Sequence, residues 1–199
     1  MIFKVVTKVI VGRLKELMPK LISEIQSSFV PGRHVTDNII VAQEIIHSMR
    51  RMKGKRGVMT IKVDLEKAYD RLSWSFIRDT LIDARLPSDL IRIIMQCIES
   101  PTLSVLWNGC ASQSFVPSRG IRQGDLLSPY IFVMCLERLS QRINKSVEED
   151  NCKPFTVRKN GLKISHLYFA DDMLLFAEAS LEQMNRVNQS LNEFCAALG

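Results

Sequence analysis

Apolar residues recur at helical spacing in several stretches of the chain, and these stretches predict its helices. In residues 3–18 they return every three or four positions, as at Val6, Val9 and Ile10, which places their side chains on one helix face. The same spacing predicts further helices near residues 36–52, 72–86, 87–100, 129–147 and 180–198. Residues able to cap these N-termini are Thr36 or Asp37, Ser73, Ser88 and Ser180.

Strict alternation of apolar and polar residues predicts a first strand at residues 58–65. Thr60, Lys62 and Asp64 fall on one face of this strand, and the apolar residues between them fall on the other. We therefore expect the side chain of Asp64 to point away from the core at the end of the strand.

Two Asn-Gly dipeptides, at residues 108–109 and 160–161, predict the turns of two β-hairpins. Two short apolar strands are predicted between residues 166 and 177, on either side of the adjacent acids Asp171 and Asp172. We expect both acids to occupy the tight turn between these strands.

Composition narrows the class of protein. The 199 residues are 46% hydrophobic and 24% charged, which is typical of a globular chain with its own core. Charged residues interrupt the apolar N-terminal stretch, and no uncharged apolar run approaches 18 residues, so we expect neither a signal peptide nor a membrane span. The five cysteines lack metal-binding spacing, which favours reduced thiols and a protein of the cytoplasm, the nucleus or both.

Positive charge is concentrated in the first third of the chain. Residues 1–62 contain 12 Lys and Arg against 4 Asp and Glu, a net charge of +8, whereas residues 63–199 contain 15 against 17, a net charge of −2. The basic density peaks in MRRMKGKRG, residues 49–57. This asymmetry favours contact with nucleic acid or another polyanion. The alternative interpretation is a solvated basic loop.

The paired acids Asp171 and Asp172 need a positive partner, because ionised carboxylates between apolar runs are costly, and no basic residue lies within residues 167–178. Asp64 would join them if its strand were a neighbour in the same sheet. We expect the counter-charge to be metal, since Mg²⁺ binds a few carboxylates together with substrate phosphates, and two such ions support phosphoryl transfer. The alternative is an ordinary hairpin turn in which aspartate is a favourable turn residue.

Four segments resemble motifs of one enzyme family. YFADD at residues 168–172 resembles the catalytic tyrosine-x-Asp-Asp box of reverse transcriptases, in the form found in non-LTR (LINE-type) retrotransposons. VDLEKAYDRLSW at 63–74 resembles their first palm motif, and SRGIRQGDLLSPYIF at 118–132 resembles the segment between the two. EIQSSFVPGRHVTDNIIVAQEIIHSM at 24–49 is similar to the upstream segment of plant LINE-type elements. The four motifs occur in the family's order and cover nearly the whole chain.

The resemblance implies a right-hand polymerase fold of the α+β class, with a palm of antiparallel sheet packed on helices, partial fingers and no thumb. Residues 1–57 would form the partial fingers, basic and mostly helical, and residues 58–199 would form the palm with the metal site. We expect the chain to be truncated at both ends, because the family's RPISL fingers motif would precede it and a further motif and the thumb would follow it.

The resemblance also implies roles for individual residues. Asp64 and Asp171 would be the principal ligands of two Mg²⁺ ions, or of Mn²⁺ as the alternative metal, and Asp172 would assist them. Tyr69 would lie beneath the sugar of the incoming nucleotide and exclude a 2′-hydroxyl, although packing on the core is the alternative role for this ring. Gln123 and Gly124 would lie next to the incoming nucleotide and the template.

Basic residues would hold the RNA template and DNA primer through phosphate contacts, which give affinity without sequence choice. Those implied on the fingers side are Arg33, Arg50, Arg51, Lys53, Lys55 and Arg56. Arg119 and Arg122 would contact backbone phosphate or solvate their loop. Deoxynucleoside triphosphates would be the substrates, and no membrane and no particular protein partner is implied.

Leu126 stands where these elements usually have proline, which removes no chemical group from the loop. The main hypothesis is an RNA-directed DNA polymerase domain. Its competitors are a catalytically inactive retrotransposon remnant that at most binds nucleic acid, and another carboxylate-metal enzyme of the palm type, such as a cyclase or nuclease.

Overall fold

A three-stranded antiparallel sheet is the centre of the computed structural model, which describes residues 2–52, 57–156, 161 and 163–198. Its strands are β1 (Val58–Asp64), β6 (His166–Phe169) and β7 (Asp172–Glu178), in the order β1-β7-β6. Two small hairpins are formed by β2 (Leu106–Trp107) with β3 (Cys110–Ala111) and by β4 (Phe155–Thr156) with β5 (Lys163–Ile164).

Seven helices complete the described part of the chain. They are α1 (Ile2–Leu21), α2 (Val35–Arg51), α3 (Ala68–Arg71), α4 (Trp74–Asp83), α5 (Ser88–Glu99), α6 (Ser128–Glu148) and α7 (Leu181–Leu198). The mixture of helices with an antiparallel sheet is the α+β palm architecture that the sequence predicted. Within the described residues, no helix is both long enough and apolar enough to cross a membrane.

One face of the sheet packs on the main core. Ile61 and Val63 of β1 and the buried Met173 and Leu175 of β7 contact this core, which also contains residues of α1, α4, α5, α6 and α7. Burial excludes apolar side chains from water, at roughly 25 cal/mol per Å², so these five helices are held on the same side of the sheet. In β1, Thr60, Lys62 and Asp64 alternate with these apolar residues and are exposed, as the sequence pattern predicted.

The opposite face is covered over β6 and β7, where Phe169 and Leu174 are partly buried. A smaller core there joins Ala42 and Ile45 of α2 to Phe176 of β7 and to the β4–β5 hairpin through Phe155 and Ile164. On the β1 side of the same face, Thr60, Lys62 and Asp64 are exposed. The sheet therefore presents β1, including its Asp64 end, to solvent.

Two polar side chains fasten the segment between α1 and α2. The buried Asn38 amide nitrogen donates to the carbonyls of Ile25, at 2.8 Å, and Tyr168, at 2.9 Å, and so ties α2 to β6. The Arg33 guanidinium donates to carbonyls of the turn that follows α1, among them Ile22 and Gln26, both at 2.8 Å. The last carbonyls of a helix have no donor within the helix, and the Arg33 guanidinium supplies donors at the end of α1.

The predicted caps were right at two helices and wrong at two. Ser73 accepts a hydrogen bond from the Phe76 backbone at 3.3 Å, and Ser180 accepts one from the Gln183 backbone at 3.2 Å. Helix α2 begins at Val35 after His34, ahead of both predicted caps, and its first turn has no side-chain cap. Ser88 is the first residue of α5, following Pro87. Pro87 is therefore the N-cap of α5, and it makes no side-chain capping hydrogen bond.

The first predicted hairpin forms, and the described strands of the second pair with each other. At residues 108–109, Asn and Gly have φ of 47° and 81°, the positive angles of a type I′ turn. Phe155 pairs with Ile164 in the second hairpin, which confirms its strands. Asn160 of its predicted turn lies outside the described residues.

Candidate active site

The two strands that carry the predicted acids are direct neighbours. In the antiparallel pairing of β1 with β7, Asp64 lies opposite Asp172 at the ends of both strands. Directly opposed residues have Cα atoms roughly 4.5–5.5 Å apart and point their side chains to the same face. Two acids 108 positions apart in sequence therefore share one edge of the open sheet face.

Asp171 lies in the two-residue turn between β6 and β7, where Phe169 pairs with Asp172. Its neighbour Ala170 has a φ of 60°, in the left-handed region that costs an L-residue roughly 1–2 kcal/mol. The prediction that both acids occupy the turn was half right. Asp172 is the first residue of β7, because pairing with Phe169 extends the ladder by one residue.

Asp172 has a basic partner that the sequence analysis missed. The Lys62 ammonium Nζ lies 3.2 Å from Asp172 Oδ1. The prediction of a metal counter-charge overlooked this lysine, because it considered basic residues only within 167–178. The signal was present in β1, since Lys62 and Asp64 share the polar face of the alternating strand.

Tyr69 lies on α3, directly after the turn that follows β1. Its ring stacks on Phe132 of α6, with centroids 4.6 Å apart and planes at 21°. Burial raises the pKa of the Tyr69 hydroxyl above its ordinary value of 10, and the negative charge of Asp171 raises it further. The ring is therefore packed on the core, and its hydroxyl interacts electrostatically with Asp171 in the turn.

The loop that contains Gln123 and Gly124 is docked against α3. The Gly120 backbone donates to the Leu72 carbonyl at 2.7 Å, and the Ile121 backbone donates to the Tyr69 carbonyl at 2.9 Å. Gln123 is exposed, and Gly124 has a φ of 84° with open space where a Cβ would stand. This open backbone leaves room for a ligand to approach closely.

The predicted basic residues differ in their surroundings. Arg50 and Arg51 are exposed in the last turn of α2. The Arg122 guanidinium lies over the Phe3 ring, 5.7 Å from its centroid, and Arg33 is occupied by backbone carbonyls. Arg119 is exposed in the loop before Gly120. Lys53, Lys55 and Arg56 lie outside the described residues.

The donor atoms suit a divalent cation in kind, although they are not gathered into a cage. Asp64 and Asp171 are exposed and Asp172 is partly exposed, so all three carboxylates are accessible to solvent. In the described part of the chain, no group of three or more His, Cys, Asp or Glu is arranged to hold a metal ion. Mg²⁺ needs only one or two carboxylates when substrate phosphates complete its shell, so the residues fit that ion.

Comparison with known proteins places the chain among polymerases. The family described as reverse transcriptase (RNA-dependent DNA polymerase) matches residues 1–199. The Pol polyprotein of the retrotransposable element R2DM of Drosophila melanogaster is 29% identical over 176 residues, which are 87% of this chain and 15% of that polyprotein. An uncharacterised mitochondrial protein of Arabidopsis thaliana is 45% identical over 65 residues, which are 33% of this chain and 53% of that protein.

Solved structures support the fold. Telomerase of Candida tropicalis, solved in complex with a fragment of telomeric RNA, superimposes with a TM-score of 0.64 at 15% identity, over 96% of this chain and 31% of the telomerase chain. At this identity the likeness concerns the fold alone. The chain spans less than a sixth of the Drosophila polyprotein, so it corresponds to one part of a longer relative. From its match over the full sequence, the chain belongs to the reverse transcriptase (RNA-dependent DNA polymerase) family.

Proposed function

We propose that the chain is the polymerase part of a non-LTR retrotransposon protein and adds deoxynucleotides to a primer 3′-hydroxyl on an RNA template. The observation that carries the proposal is the register of the sheet, in which Asp64 lies opposite Asp172 beside the turn that holds Asp171. Membership of the family supports this chemistry. The 45% identity to an Arabidopsis protein over a third of the chain supports a plant element.

Asp64 and Asp171 would hold two Mg²⁺ ions, with Asp172 assisting, and Mn²⁺ is the alternative metal. When bound, such ions supply positive charge that stabilises the attacking and leaving oxygens of a phosphoryl transfer. The chain itself contributes the position of its carboxylates, because the ladder between β1 and β7 fixes Asp64 and Asp172 at one edge. The exposure of this edge leaves access for a primer and a nucleotide.

Tyr69 would select deoxynucleotides. Its ring stacks on Phe132 and is therefore held in place, so a sugar lying on it would find no space for an additional 2′-oxygen. Gln123 and the open backbone at Gly124 would contact the nucleotide and template from the docked loop. The hydrogen bond from Ile121 to the Tyr69 carbonyl supports this assignment, because it ties the loop to the residue beneath the sugar.

The template would be RNA and the primer DNA, held by the basic residues through phosphate. Residues 1–57 would act as partial fingers and residues 58–199 as the palm. Helix α1 shares the main core with the palm helices, so this boundary separates functional lobes and not independently folded units. Arg50 and Arg51 are the described residues best placed for phosphate, since they are exposed on the basic segment.

Primer extension tests the proposal. The chain, and a chimera that adds the flanking segments of the Drosophila relative, are assayed on an RNA template with a labelled DNA primer and Mg²⁺. Asp171→Asn is expected to lower extension at least about 100-fold, as for loss of a group that stabilises transition-state charge. Asp79→Asn, exposed on α4, is the control that removes the same charge elsewhere. Extension by the Asp171→Asn chimera at the rate of the parent would show that the site is wrong.

A further inference from the structure

Lys62 is the cation nearest to the candidate metal site among the described ion pairs. Its Nζ lies 3.2 Å from Asp172 Oδ1, and the two residues sit diagonally across the β1–β7 ladder, because Lys62 pairs with Leu174 and Asp64 pairs with Asp172. All three charged residues lie on the same face of the sheet.

The position of Lys62 reduces the repulsion between two opposed carboxylates. Carboxylates directly opposite each other in a ladder repel, and such like-charge pairs destabilise a sheet. In a protein without bound metal, the ammonium of Lys62 offsets the charge of Asp172 and so reduces its repulsion with Asp64. It also draws Asp172 towards β1, which is consistent with the absence of a three-carboxylate cluster in the described part of the chain.

We propose that Lys62 is a built-in counter-ion for Asp172, which holds this carboxylate in the metal-free protein and is displaced when a divalent cation binds. It is a positioning residue that competes with the metal. The inference rests on the proposed function, because it assumes that Asp172 assists a metal bound between Asp64 and Asp171.

The exposure of the pair limits the size of the effect. The Lys62 and Asp172 side chains are 64% and 43% exposed, so water and salt screen their attraction. Exposed pairs are weak, and removing the competing lysine should strengthen cation binding by roughly two- to fivefold and no more. A released ammonium on the open face would then be near the phosphates of a bound nucleotide or primer.

Lys62→Met tests the counter-ion role of Lys62, because methionine keeps roughly the length of the side chain and removes its charge. Lys145→Met is a matched control, since Lys145 lies 3.9 Å from Glu149 in an exposed ion pair at the C-terminal end of α6. Both variants lower the net charge by the same amount. Lys62→Arg restores the positive charge at position 62 and should behave like the parent chain.

The measurement is the melting temperature of the full chain during titration with MgCl₂ or MnCl₂ at constant ionic strength. Without metal, Lys62→Met should melt at a lower temperature than the parent. With metal, its half-saturating concentration should fall roughly two- to fivefold, whereas Lys145→Met should match the parent. Asp64→Asn should lose the metal response.

The outcomes separate the two proposals. If the parent responds to metal through Asp64 but Lys62→Met has the same half-saturating concentration as Lys145→Met, the counter-ion role of Lys62 is overturned and the metal site stands. If the parent shows no response that Asp64→Asn removes, the proposed metal site is wrong, and the role of Lys62 is overturned with it.

Discussion

His166 is buried at the start of β6, opposite Leu175 of β7, although its side chain could carry a charge. It is fully buried on β6, and its two ring nitrogens lie 2.8 Å from the hydroxyls of Ser140 and Ser165. Its ring also meets Tyr168 edge to face, at 5.5 Å between centroids. Burial lowers the pKa of His166 from 6.5 to about 3, because a buried imidazolium would lose its hydration.

This lowered pKa predicts that acid destabilises the fold through His166. Between pH 6.5 and about 3, the unfolded chain binds a proton at this position and the folded chain does not. The stabilisation that neutral His166 gives to the folded state is therefore complete above pH 6.5. Below that pH the free energy of unfolding falls by about 1.4 kcal/mol per pH unit. Urea unfolding at pH 7.5, 6.0 and 5.0 measures this slope.

Two glutamine variants separate His166 from the other titrating groups. His166→Gln keeps a hydrogen-bonding side chain without the titration, and should lower the slope of unfolding free energy against pH by about 1.4 kcal/mol per unit. His47→Gln, exposed on α2, is the comparison variant, which removes an imidazole outside the core. An equal slope in the parent and in His166→Gln would show that this histidine is protonated in the folded state.

Local signals in the sequence predicted several of the elements correctly. The Ser73 cap and the turn at residues 108–109 act over a few neighbouring residues, so residue type and spacing were sufficient to find them. Helix α3 was missed, because it is four residues long and starts after Lys67, whose left-handed φ of 52° has no sequence signature. The pairing of β1 with β7 was only a condition of the predicted site, since alternation gives each strand a face but does not name its neighbour.

The docking of the 118–124 loop on α3 depends on one glycine. Gly120 has a φ of 83°, and a Cβ at this position would lie 3.0 Å from the Asp70 carbonyl oxygen and 3.1 Å from its Cα. The Gly120 carbonyl accepts a hydrogen bond from Trp74 Nε1 at 2.9 Å. These contacts set the distance between the loop that carries Gln123 and the helix that carries Tyr69.

Gly120→Ala should therefore destabilise the chain more than glycine replacement elsewhere. The left-handed φ costs an alanine roughly 1–2 kcal/mol, and displacing the Asp70 backbone adds a similar amount, so we expect a total of about 2–4 kcal/mol. Gly32→Ala is the control, because its φ is 79° and its Cβ would meet no atom within 4 Å. Urea unfolding followed by tryptophan fluorescence compares the two variants. Equal losses of unfolding free energy in the two variants would show that the Asp70 backbone moves aside at little cost.

At the scale of the whole molecule, positive charge and the candidate acids lie in different parts of the chain. The net charge is +8 over residues 1–62 and −2 over the remainder, and the acids at the open edge of the sheet belong to that remainder. Helix α2 spans the same sheet face as these acids and ends in Arg50 and Arg51 near the start of β1. A polyanion lying on this face would meet basic residues at one end and the candidate metal site at the other.

RNA binding should depend on this basic end of the sheet face. Phosphate contacts release counter-ions, so affinity falls with salt, and the slope of log K against log salt counts the contacts. Replacing Arg50 and Arg51 together by glutamine should make this slope about 1–2 units shallower. Replacing Arg78 and Arg92, which are exposed on α4 and α5, gives the same net charge and should leave the slope near that of the parent. Fluorescence anisotropy of a labelled RNA between 50 and about 200 mM salt measures both. Identical slopes in the two double variants would mean that RNA responds to the overall charge of the protein and not to the end of α2.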